Sequence, residues 1–375
     1  MLELINASKV LGGQTHIHPT NLVLERGSLN VLLGPTLSGK TTLLRLMAGL
    51  ERPTSGQVRF DGQDVTGLPV QRRSVAMVYQ QFINYPSMTV FDNIASPLRV
   101  AGESRDVIER EVKKVAELMR LTPLLDRLPL SLSGGQQQRT ALARAIVKKA
   151  SLVLLDEPLA NLDYKLREEM REELPKIFAA SGSIFVYATT EPSEALLLGG
   201  NTATLHEGRI SQFGKTISVY RQPNDLITAK TFADPPLNTV VVTKKGSAFI
   251  LPDVVDAEKK GKSVSSSLPV PEHLSGIADG EVTIAFQPHH LSLAAPFPKA
   301  PPLKVWTQIS EIAGSESFVH VAYAKSRWVM LAHGVCNLDP NLHIDVFVDT
   351  RHLLAFGADG KALAATSPVK KQRAG

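Results

Sequence analysis

The sequence predicts an α/β domain that is followed by a smaller all-β domain. In the first two-thirds of the chain, short apolar runs alternate with helical patterns, which is typical of parallel strands joined by crossover helices. Beyond Pro235 and Pro236, prolines and glycines separate short runs in which apolar and polar residues alternate. That second pattern is typical of a small β domain. We therefore expect two domains, residues 1–235 and residues 236–375.

Four apolar runs in the first domain have the length and composition of buried strands. Between the second and third runs, residues 104–121 place apolar side chains three and four residues apart, from Ile108 to Met119, and Pro123 follows. This spacing predicts an amphipathic helix. The predicted strands are residues 29–33, 74–79, 151–155 and 184–188.

The second domain is expected to consist of short strands and to end in a mobile tail. Its composition is rich in turn-forming residues, and no repeat of fixed period is visible. Residues 364–375 are the expected tail, because the last residues of a domain are often mobile. The predicted strands are residues 239–243, 282–286, 318–323 and 344–348.

The composition is that of an ordinary soluble protein. The 375 residues are 43% hydrophobic and 21% charged, with a net charge of +5; these values exclude collagen-like, disordered and disulfide-stapled classes. Cys336 is the single cysteine, which favours a reducing compartment. The start, MLELINASKV, lacks the features of a signal peptide, and no apolar run approaches the ~20 residues that span a bilayer. We expect a cytosolic chain that reaches a membrane only through partners.

The positive charge does not predict a nucleic-acid partner. Basic residues are scattered except in two short clusters, residues 259–262 and residues 370–373, which favours solvated segments over a binding patch. The ten histidines show no metal-ligand spacing.

A glycine-rich loop directly follows the first predicted strand. Residues 34–42 read GPTLSGKTT and precede a helical pattern, which matches the G-x4-G-K-S/T phosphate loop in its strand–loop–helix setting. Glycines let backbone N–H groups surround phosphate oxygens, and the helix N-terminus adds positive potential. We expect Lys40 to reach the β- and γ-phosphates and Thr41 to bind Mg²⁺. The predicted nucleotide-binding residues are Gly34, Pro35, Thr36, Leu37, Ser38, Gly39, Lys40, Thr41 and Thr42.

Two carboxylates end the third predicted strand. The run LLDEP places Asp156 and Glu157 at the strand end, where open α/β sheets bind ligands. We expect Asp156 to hold Mg²⁺ and Glu157 to polarise an attacking water. An acidic turn without chemistry is the alternative, and the phosphate loop in the same domain favours the catalytic interpretation.

The run LSGGQ at residues 132–136, continued by QQR, is the most specific motif. With it, residues 1 to about 235 resemble the ABC ATPases, motif by motif and in order. The resemblance implies a RecA-like core with a helical subdomain, and ATP and Mg²⁺ as cofactors. In that family the signature caps the nucleotide held by an opposite cassette, so that two cassettes enclose two nucleotides. This carries over to Ser133, Gly134, Gly135 and Gln136.

Two further markers of the family can be located. Gln80 matches the Q-loop glutamine, a magnesium ligand and catalytic residue, and Asp163, in the run Asn161–Leu162–Asp163, matches the D-loop. Residues 85–94 resemble the sugar and polyol importer ATPases. Residues 232–238 and 314–316 are similar to the C-terminal regulatory barrel of that group, which has an oligonucleotide/oligosaccharide-binding-like (OB-like) fold.

Three positions in the first domain depart from the family pattern. Leu11 stands where an aromatic residue stacks on adenine, with His16 or His18 as the alternative partner of the base. Leu37 stands at a glycine position, so the loop either keeps a negative φ or is strained. Thr190 occupies the position of the switch histidine, whose reach a threonine cannot match.

The resemblance implies an ATPase subunit of an importer, at the cytoplasmic face of the bacterial inner membrane. Its implied partners are two integral permease subunits, which dock near residues 80–86, and indirectly a solute-binding protein; no nucleic acid is expected. Because the signature is regular and position 190 is altered, we expect this chain to hydrolyse ATP slowly at its own phosphate loop. We also expect it to form a heterodimer with a second ATPase. The chain is most similar to the paired ATPases of a glycerol importer. The alternatives are a homodimeric sugar importer ATPase, a regulatory protein that binds nucleotide without transport, and a soluble ABC protein that acts on nucleic acid.

Overall fold

The computed structural model describes residues 1–160, 162–256 and 262–363. The chain divides into two compact units, Met1–Ile217 and Ser218–Gly375. The composition change at Pro235 therefore lies inside the second unit. The division into domains of residues 1–235 and 236–375 stays a prediction. The expected mobile tail, residues 364–375, lies outside the described residues.

The first unit alternates strands and helices over most of its length. In chain order its elements are β1 (Leu2–Leu11), β2 (Gln14–Leu24), β3 (Leu29–Leu33), α1 (Lys40–Ala48), β4 (Ser55–Phe60), β5 (Gln63–Asp64), β6 (Val75–Val78), α2 (Val90–Val100), α3 (Arg105–Leu118), α4 (Gly134–Val147), β7 (Leu152–Asp156), α5 (Tyr164–Ser181), β8 (Ile184–Thr189), α6 (Pro192–Leu198), β9 (Asn201–His206) and β10 (Arg209–Lys215).

A parallel sheet forms the centre of this unit. Its strand order is β10-β9-β3-β8-β7-β6, and all neighbours except β10 and β9 are parallel. The four strands predicted from apolar runs are β3, β6, β7 and β8, so the predicted α/β fold is confirmed. They lie side by side, and their carboxyl ends therefore meet at one edge of the sheet.

A second, antiparallel sheet was not predicted. Its order is β2-β1-β4-β5, and Leu2, Leu4 and Val58 from it share a buried core with α1 and the parallel sheet. The register of β1 against β2 shifts three times between Leu4 and Val10. Such bulges interrupt the alternation of inward and outward side chains that identifies a strand in a sequence.

Helices α2, α3 and α4 are inserted between β6 and β7. Helix α3 confirms the predicted amphipathic helix, because Ile108, Val112 and Val115 are buried on one face and Met119 is buried just beyond its end. Within the described residues, no helix is long and apolar enough to cross a membrane.

The second unit is mainly antiparallel β structure, which confirms the predicted β domain. Its two main sheets have the orders β15-β12-β11-β16-β22 and β17-β21-β18-β19-β20, and β13 pairs with β14. Trp328 is buried in the core, where it stacks on Tyr323 with 4.7 Å between ring centroids. The elements from the end of the first unit onward are α7 (Thr216–Arg221), α8 (Leu226–Thr231), β11 (Asn238–Lys245), β12 (Ala248–Ile250), β13 (Val254–Asp256), β14 (Lys262–Val264), β15 (Ser267–Pro269), β16 (Gly280–Phe286), β17 (Leu291–Ser292), β18 (Leu303–Ile312), β19 (Glu316–Tyr323), β20 (Ser326–His333), β21 (His343–Val348) and β22 (Leu354–Phe356).

One buried amide side chain fixes the segment that leads into α2. Asn93 is fully buried. Its Nδ2 donates to the carbonyls of Tyr85 (3.1 Å), Met88 (3.0 Å) and Thr89 (3.0 Å), and its Oδ1 accepts the N–H of Tyr85 at 2.8 Å. These bonds replace the ladder partners that an irregular segment lacks.

We expect Asn93→Ala to release residues 85–89, because unpaired buried polar groups cost about 1–3 kcal/mol each. The measurement is hydrogen exchange of the Tyr85 amide, which should become at least tenfold faster. Ser96→Ala, a change on the same helix that leaves the Asn93 amide bonds in place, is the control. Equal exchange at Tyr85 in the two variants would contradict the assignment.

Candidate functional site

The phosphate loop connects β3 to α1 and is shaped by two glycines. A Cβ on Gly34 would overlap the backbone carbonyl of Leu205. Gly39 has a φ of 103° at the start of α1, and a Cβ there would lie 2.8 Å from Cδ1 of Ile17. Both positions therefore admit no side chain without movement of their neighbours.

Leu37 adopts the conformation expected of the glycine that it replaces. Its φ is 67°, and its side chain is 95% exposed at the tip of the loop. Of the two alternatives for this position, the structure shows the strained one, at a cost of about 1–2 kcal/mol.

Lys40 and Thr41 begin α1 and point toward the edge of the sheet. Lys40 is only 5% exposed, and its Nζ donates to the carbonyls of Gly34 at 2.7 Å and Pro35 at 2.9 Å. Burial lowers the pKa of Lys40, while the charges of Glu157 and Asp156 oppose that change. The predicted phosphate ligand thus lies in the loop and within the field of both predicted carboxylates.

The oxygen atoms of this cluster fit a hard cation and a phosphate. The Thr41 hydroxyl donates to Oδ2 of Asp156 at 2.8 Å. Thr41 and Asp156, two of the predicted magnesium ligands, are therefore adjacent. Ser38 is buried, and its hydroxyl has no hydrogen-bond partner among the described residues. Hydroxyl and carboxylate oxygens are the ligands that Mg²⁺ prefers. The predicted donor set is therefore chemically consistent with nucleotide and Mg²⁺.

The carboxylates at the end of β7 have raised pKa values. Burial raises the pKa of Asp156, against the hydrogen bond from Thr41. Burial also raises the pKa of Glu157; Lys40 opposes this change, and the negative charges of Asp156 and two further glutamates add to it. A glutamate with a raised pKa is a stronger base toward a nearby water than an ordinary one.

Glu157 is held in position by its backbone and by Gln80. It has a φ of 47°, and its N–H donates to the carbonyl of Ala188 on β8 at 3.0 Å. Nε2 of Gln80, just after β6, donates to Oε2 of Glu157 at 3.0 Å. The structure thus brings together two of the three predicted catalytic residues.

Thr190, the third one, is exposed directly after β8. The residues on either side of it are tied down: the Thr189 hydroxyl donates to Oε2 of Glu194 at 2.6 Å and accepts the N–H of Glu191 at 3.0 Å. Hydrogen bonds of Thr189 therefore anchor the backbone around Thr190, the predicted switch position.

A charge network around the buried Glu194, which sequence reasoning missed, extends this anchor to α5. Arg171 of α5, 12% exposed, pairs with Glu191 at 2.6 Å, with Glu168 at 2.6 Å and with the buried Glu194 at 3.5 Å. The Tyr187 hydroxyl also donates to Glu194 at 3.0 Å. No signal marked Arg171 in the sequence, because α5 carries many charged residues and nothing in their order distinguishes this one.

The remaining predicted residues lie on other elements. Ser133 caps α4 in a reciprocal capping box with Gln136, and Asp163 caps α5 by accepting the N–H of Leu166 at 3.0 Å. Leu11 is exposed at the end of β1. Within the described residues, the hydrogen bonds of Ser133 and Gln136 stay at the start of α4, so the signature is not joined to the phosphate loop of its own chain. Asn161 of the predicted D-loop lies outside the described residues.

Comparison with known proteins assigns the family. A family model described as ABC transporter matches residues 17–160. An sn-glycerol-3-phosphate import ATP-binding protein of Cupriavidus pinatubonensis is 36% identical over 85% of this chain and 87% of its own length. A trehalose/maltose import ATP-binding protein of Thermococcus litoralis is 35% identical over 96% of this chain and 99% of its own length. The chain belongs to the ABC transporter family.

A solved ABC cassette supports the cofactor assignment. It is a dimeric ATP-binding cassette in a post-hydrolysis state with bound ADP and phosphate, 28% identical, with a TM-score of 0.54 over 58% of this chain and 99% of its own. As a member of the ABC transporter family, this chain is an ATPase coupled to transport, and its cofactors are ATP and Mg²⁺. These parts of the sequence-based expectation are confirmed.

In this ABC ATPase, we expect Arg171→Ala to destabilise β8 and α6 strongly, because it leaves the buried carboxylate of Glu194 without its cation. Removing one partner of a buried pair costs about 3–5 kcal/mol, and the local unfolding free energy can be read from hydrogen exchange of β8 amides. Arg105→Ala removes an exposed helix pair with Glu109 and serves as the control. If both variants protect β8 equally, the network contributes nothing to its anchoring.

Proposed function

We propose that this chain is the ATP-hydrolysing subunit of an importer for a small carbohydrate or polyol, with glycerol as the candidate solute. The observation that carries the proposal is the cluster of Lys40, Thr41, Asp156, Glu157 and Gln80 at one sheet edge, in a chain whose import relatives match both of its units. The two relatives are named for the import of sn-glycerol-3-phosphate and of trehalose and maltose. Glycerol rests on the sequence resemblance alone.

The residues of the cluster have distinct tasks in ATP hydrolysis. Bound Mg²⁺ neutralises phosphate charge and so assists the departure of ADP. Lys40 would exchange its two backbone carbonyl partners for phosphate oxygens, and Thr41 with Asp156 would hold the cation. Glu157 orients the water that attacks the γ-phosphorus and accepts a proton from it as the bond from that phosphorus to ADP breaks, helped by its raised pKa. Gln80 keeps the carboxylate of Glu157 in place through their hydrogen bond.

The site of this chain is proposed to turn over slowly. A threonine at position 190 has neither the length nor the charge of a histidine, and Leu37 adds loop strain beside the phosphates. Leu11 offers an exposed aliphatic side chain in place of an aromatic one. The signature at residues 132–136 is regular and would serve the nucleotide of a partner cassette. These features support an unequal pair with a second ATPase, and a homodimer is the alternative.

The proposed membrane partners are two integral permease subunits of the bacterial inner membrane, to which a solute-binding protein delivers the solute. This chain is proposed to bind them at the cytoplasmic face. The docking surface that supports this is a groove of about 300 Å³ between β6, α2 and α4. Tyr85, from the predicted docking segment 80–86, lines it together with Pro97 and Val100 of α2. We call this surface the α2–α4 groove.

We expect Thr190→His to raise ATP turnover at this chain's own site about tenfold or more, because a positioned acid–base group contributes at least that much. Purified complex is assayed for phosphate release, with Thr190→Ser as the matched control that keeps the hydroxyl and should change little. Glu157→Gln in this chain alone should leave most activity of the unaltered complex. Complete loss of activity in that variant would show that the site is not slow.

The composition of the native complex is the second test. Tagged chain is recovered from its own cells in mild detergent, and the intact complex is weighed by native mass spectrometry. We expect one copy of this chain, one different ATPase and two integral subunits. Two copies of this chain without another ATPase would establish the homodimer, and the absence of integral subunits would refute the importer.

A further inference from the structure

Three histidine rings lie against one another in the second unit. The ring of His290 lies between the two others: its centroid is 4.2 Å from that of His289, at an interplanar angle of 63°, and 4.5 Å from that of His352, at 11°. His289 and His352 are exposed, and His290 is partly buried. We call these three residues the histidine cluster.

The histidine cluster joins two connections between the main sheets of this unit. The turn Pro288–His290 connects β16 of one sheet to β17 of the other, and the turn Thr350–His352 returns from β21 to β22. Because β16 pairs with β22 and β17 pairs with β21, the two turns lie side by side. The N–H of Asp349 donates to the carbonyl of His290 at 2.8 Å across them. Contacts between the rings therefore help to hold β22, the edge strand of its sheet, in place.

His290 has no acceptor for a second ring proton. Its Nδ1 is buried and has no hydrogen-bond partner among the described residues. A protonated imidazole donates from both ring nitrogens, so the charged ring would leave a buried N–H unpaired, which is unfavourable. The neighbouring carboxylate of Asp349 already accepts two bonds from Arg351, at 2.7 and 2.8 Å. Its charge is thus balanced by a cation other than His290.

These surroundings lower the pKa of His290 to about 4. Burial is the largest cause, and the like charges of His289 and His352 add to it. Asp349 opposes the change, and Arg351 adds to it. The pKa therefore agrees with the geometry: the cluster accommodates a neutral imidazole at its centre.

The elements packed around the cluster carry further titratable residues. The turn Glu272–Leu274 brings Nε2 of His273 to 2.9 Å from the carbonyl of Leu353, just after the cluster. Strand β20 packs against the turn that carries His290, and its titratable residues Arg327 and His333 are exposed. His333 is thus a histidine of the same unit that lies outside the cluster and can serve as a control.

We propose that the histidine cluster is an acid-sensitive contact, which holds the two connections together at neutral pH and releases the edge strand β22 when its rings become protonated. Charged imidazoles at 4.2 and 4.5 Å repel one another, and opening relieves the repulsion by exposing them to water. The proposal concerns the second unit alone and is independent of the transported solute and of the partners of this chain.

The pH range of the effect follows from the pKa of His290. In the open state the ring titrates with the ordinary pKa of histidine, about 6.5, whereas in the closed state its pKa is about 4. The open state therefore binds more protons between these values. The contact is fully stable above about pH 6.5 and weakens as the pH falls toward 4. Between pH 7 and pH 5 the equilibrium constant for closing falls about 20-fold.

Hydrogen exchange of the full-length chain tests this. The Asp349 amide is the reporter, because it donates to the carbonyl of His290 between the two connections. We expect its protection factor, which corrects for the intrinsic effect of pH on exchange, to fall about 20-fold from pH 7 to pH 5. Amides of the inner strand β19 should keep their protection. Unchanged protection at Asp349, or an equal loss at β19, would overturn the proposal.

Variants of the histidines assign the effect to the cluster. His290→Gln removes the central titrating ring, so the protection of the Asp349 amide should no longer depend on pH. His333→Gln is the matched control and should show the same loss as the unaltered chain. Equal pH dependence in these two variants would contradict the assignment. If His290→Gln does not fold, the exposed changes His289→Gln and His352→Gln decide: each should reduce the loss, and an undiminished loss in both would refute the proposal.

NMR of the histidine rings gives a second, direct measurement. The ring resonance of His290, assigned through its backbone in the full-length chain, should titrate with a midpoint near pH 4. A midpoint near the ordinary histidine value of about 6.5 would show that the ring accepts a proton without opening the contact, and would refute the proposal.

Discussion

The parallel pairing of β3, β8, β7 and β6 is the constraint on which the site depends. In this register Leu33 lies beside Thr189, Asp156 beside Ala188 and Val78 beside Leu155. The residues that follow each strand therefore emerge at one edge, whatever their distance in sequence. A slip of one residue would turn the side chains to the opposite faces and separate the Thr41 hydroxyl from the Asp156 carboxylate.

The charged side chains at that edge of the sheet affect one another's pKa values. The charge of Lys40 opposes the burial that raises the pKa values of Asp156 and Glu157, and burial lowers its own pKa. Behind them, Arg171 neutralises Glu191 and Glu194, whose negative charges also raise the pKa of Glu157. The network that anchors the end of β8 thus also adds to the electrostatic environment of the proposed base, after burial, Lys40 and Asp156.

The sequence predicted the parallel strands well because strands buried on both faces are continuous apolar runs, and β3 has the bounds expected of it. It also located the phosphate loop and the carboxylates, whose spacing is local. It could not predict the antiparallel sheet, because the bulges of β1 break the alternation. The network of Arg171 could not be predicted either. Its partners Glu191 and Glu194 lie 20 and 23 positions away along the chain and contact it only because of the packing of α5. The role of position 190 came from family resemblance and not from geometry.

The segment after β6 connects the α2–α4 groove to the proposed base over a few residues. At one end, Gln80 donates to the carboxylate of Glu157. At the other, Tyr85 is fixed to α2 by the buried Asn93 and lies under the guanidinium of Arg144. A partner that repositions Arg144 or Tyr85 therefore acts on a chain segment whose other end holds the carboxylate of the proposed base. Because packed elements move as units and not by continuous deformation, the proposed function predicts that occupation of the groove and hydrolysis of ATP depend on each other through this short connection.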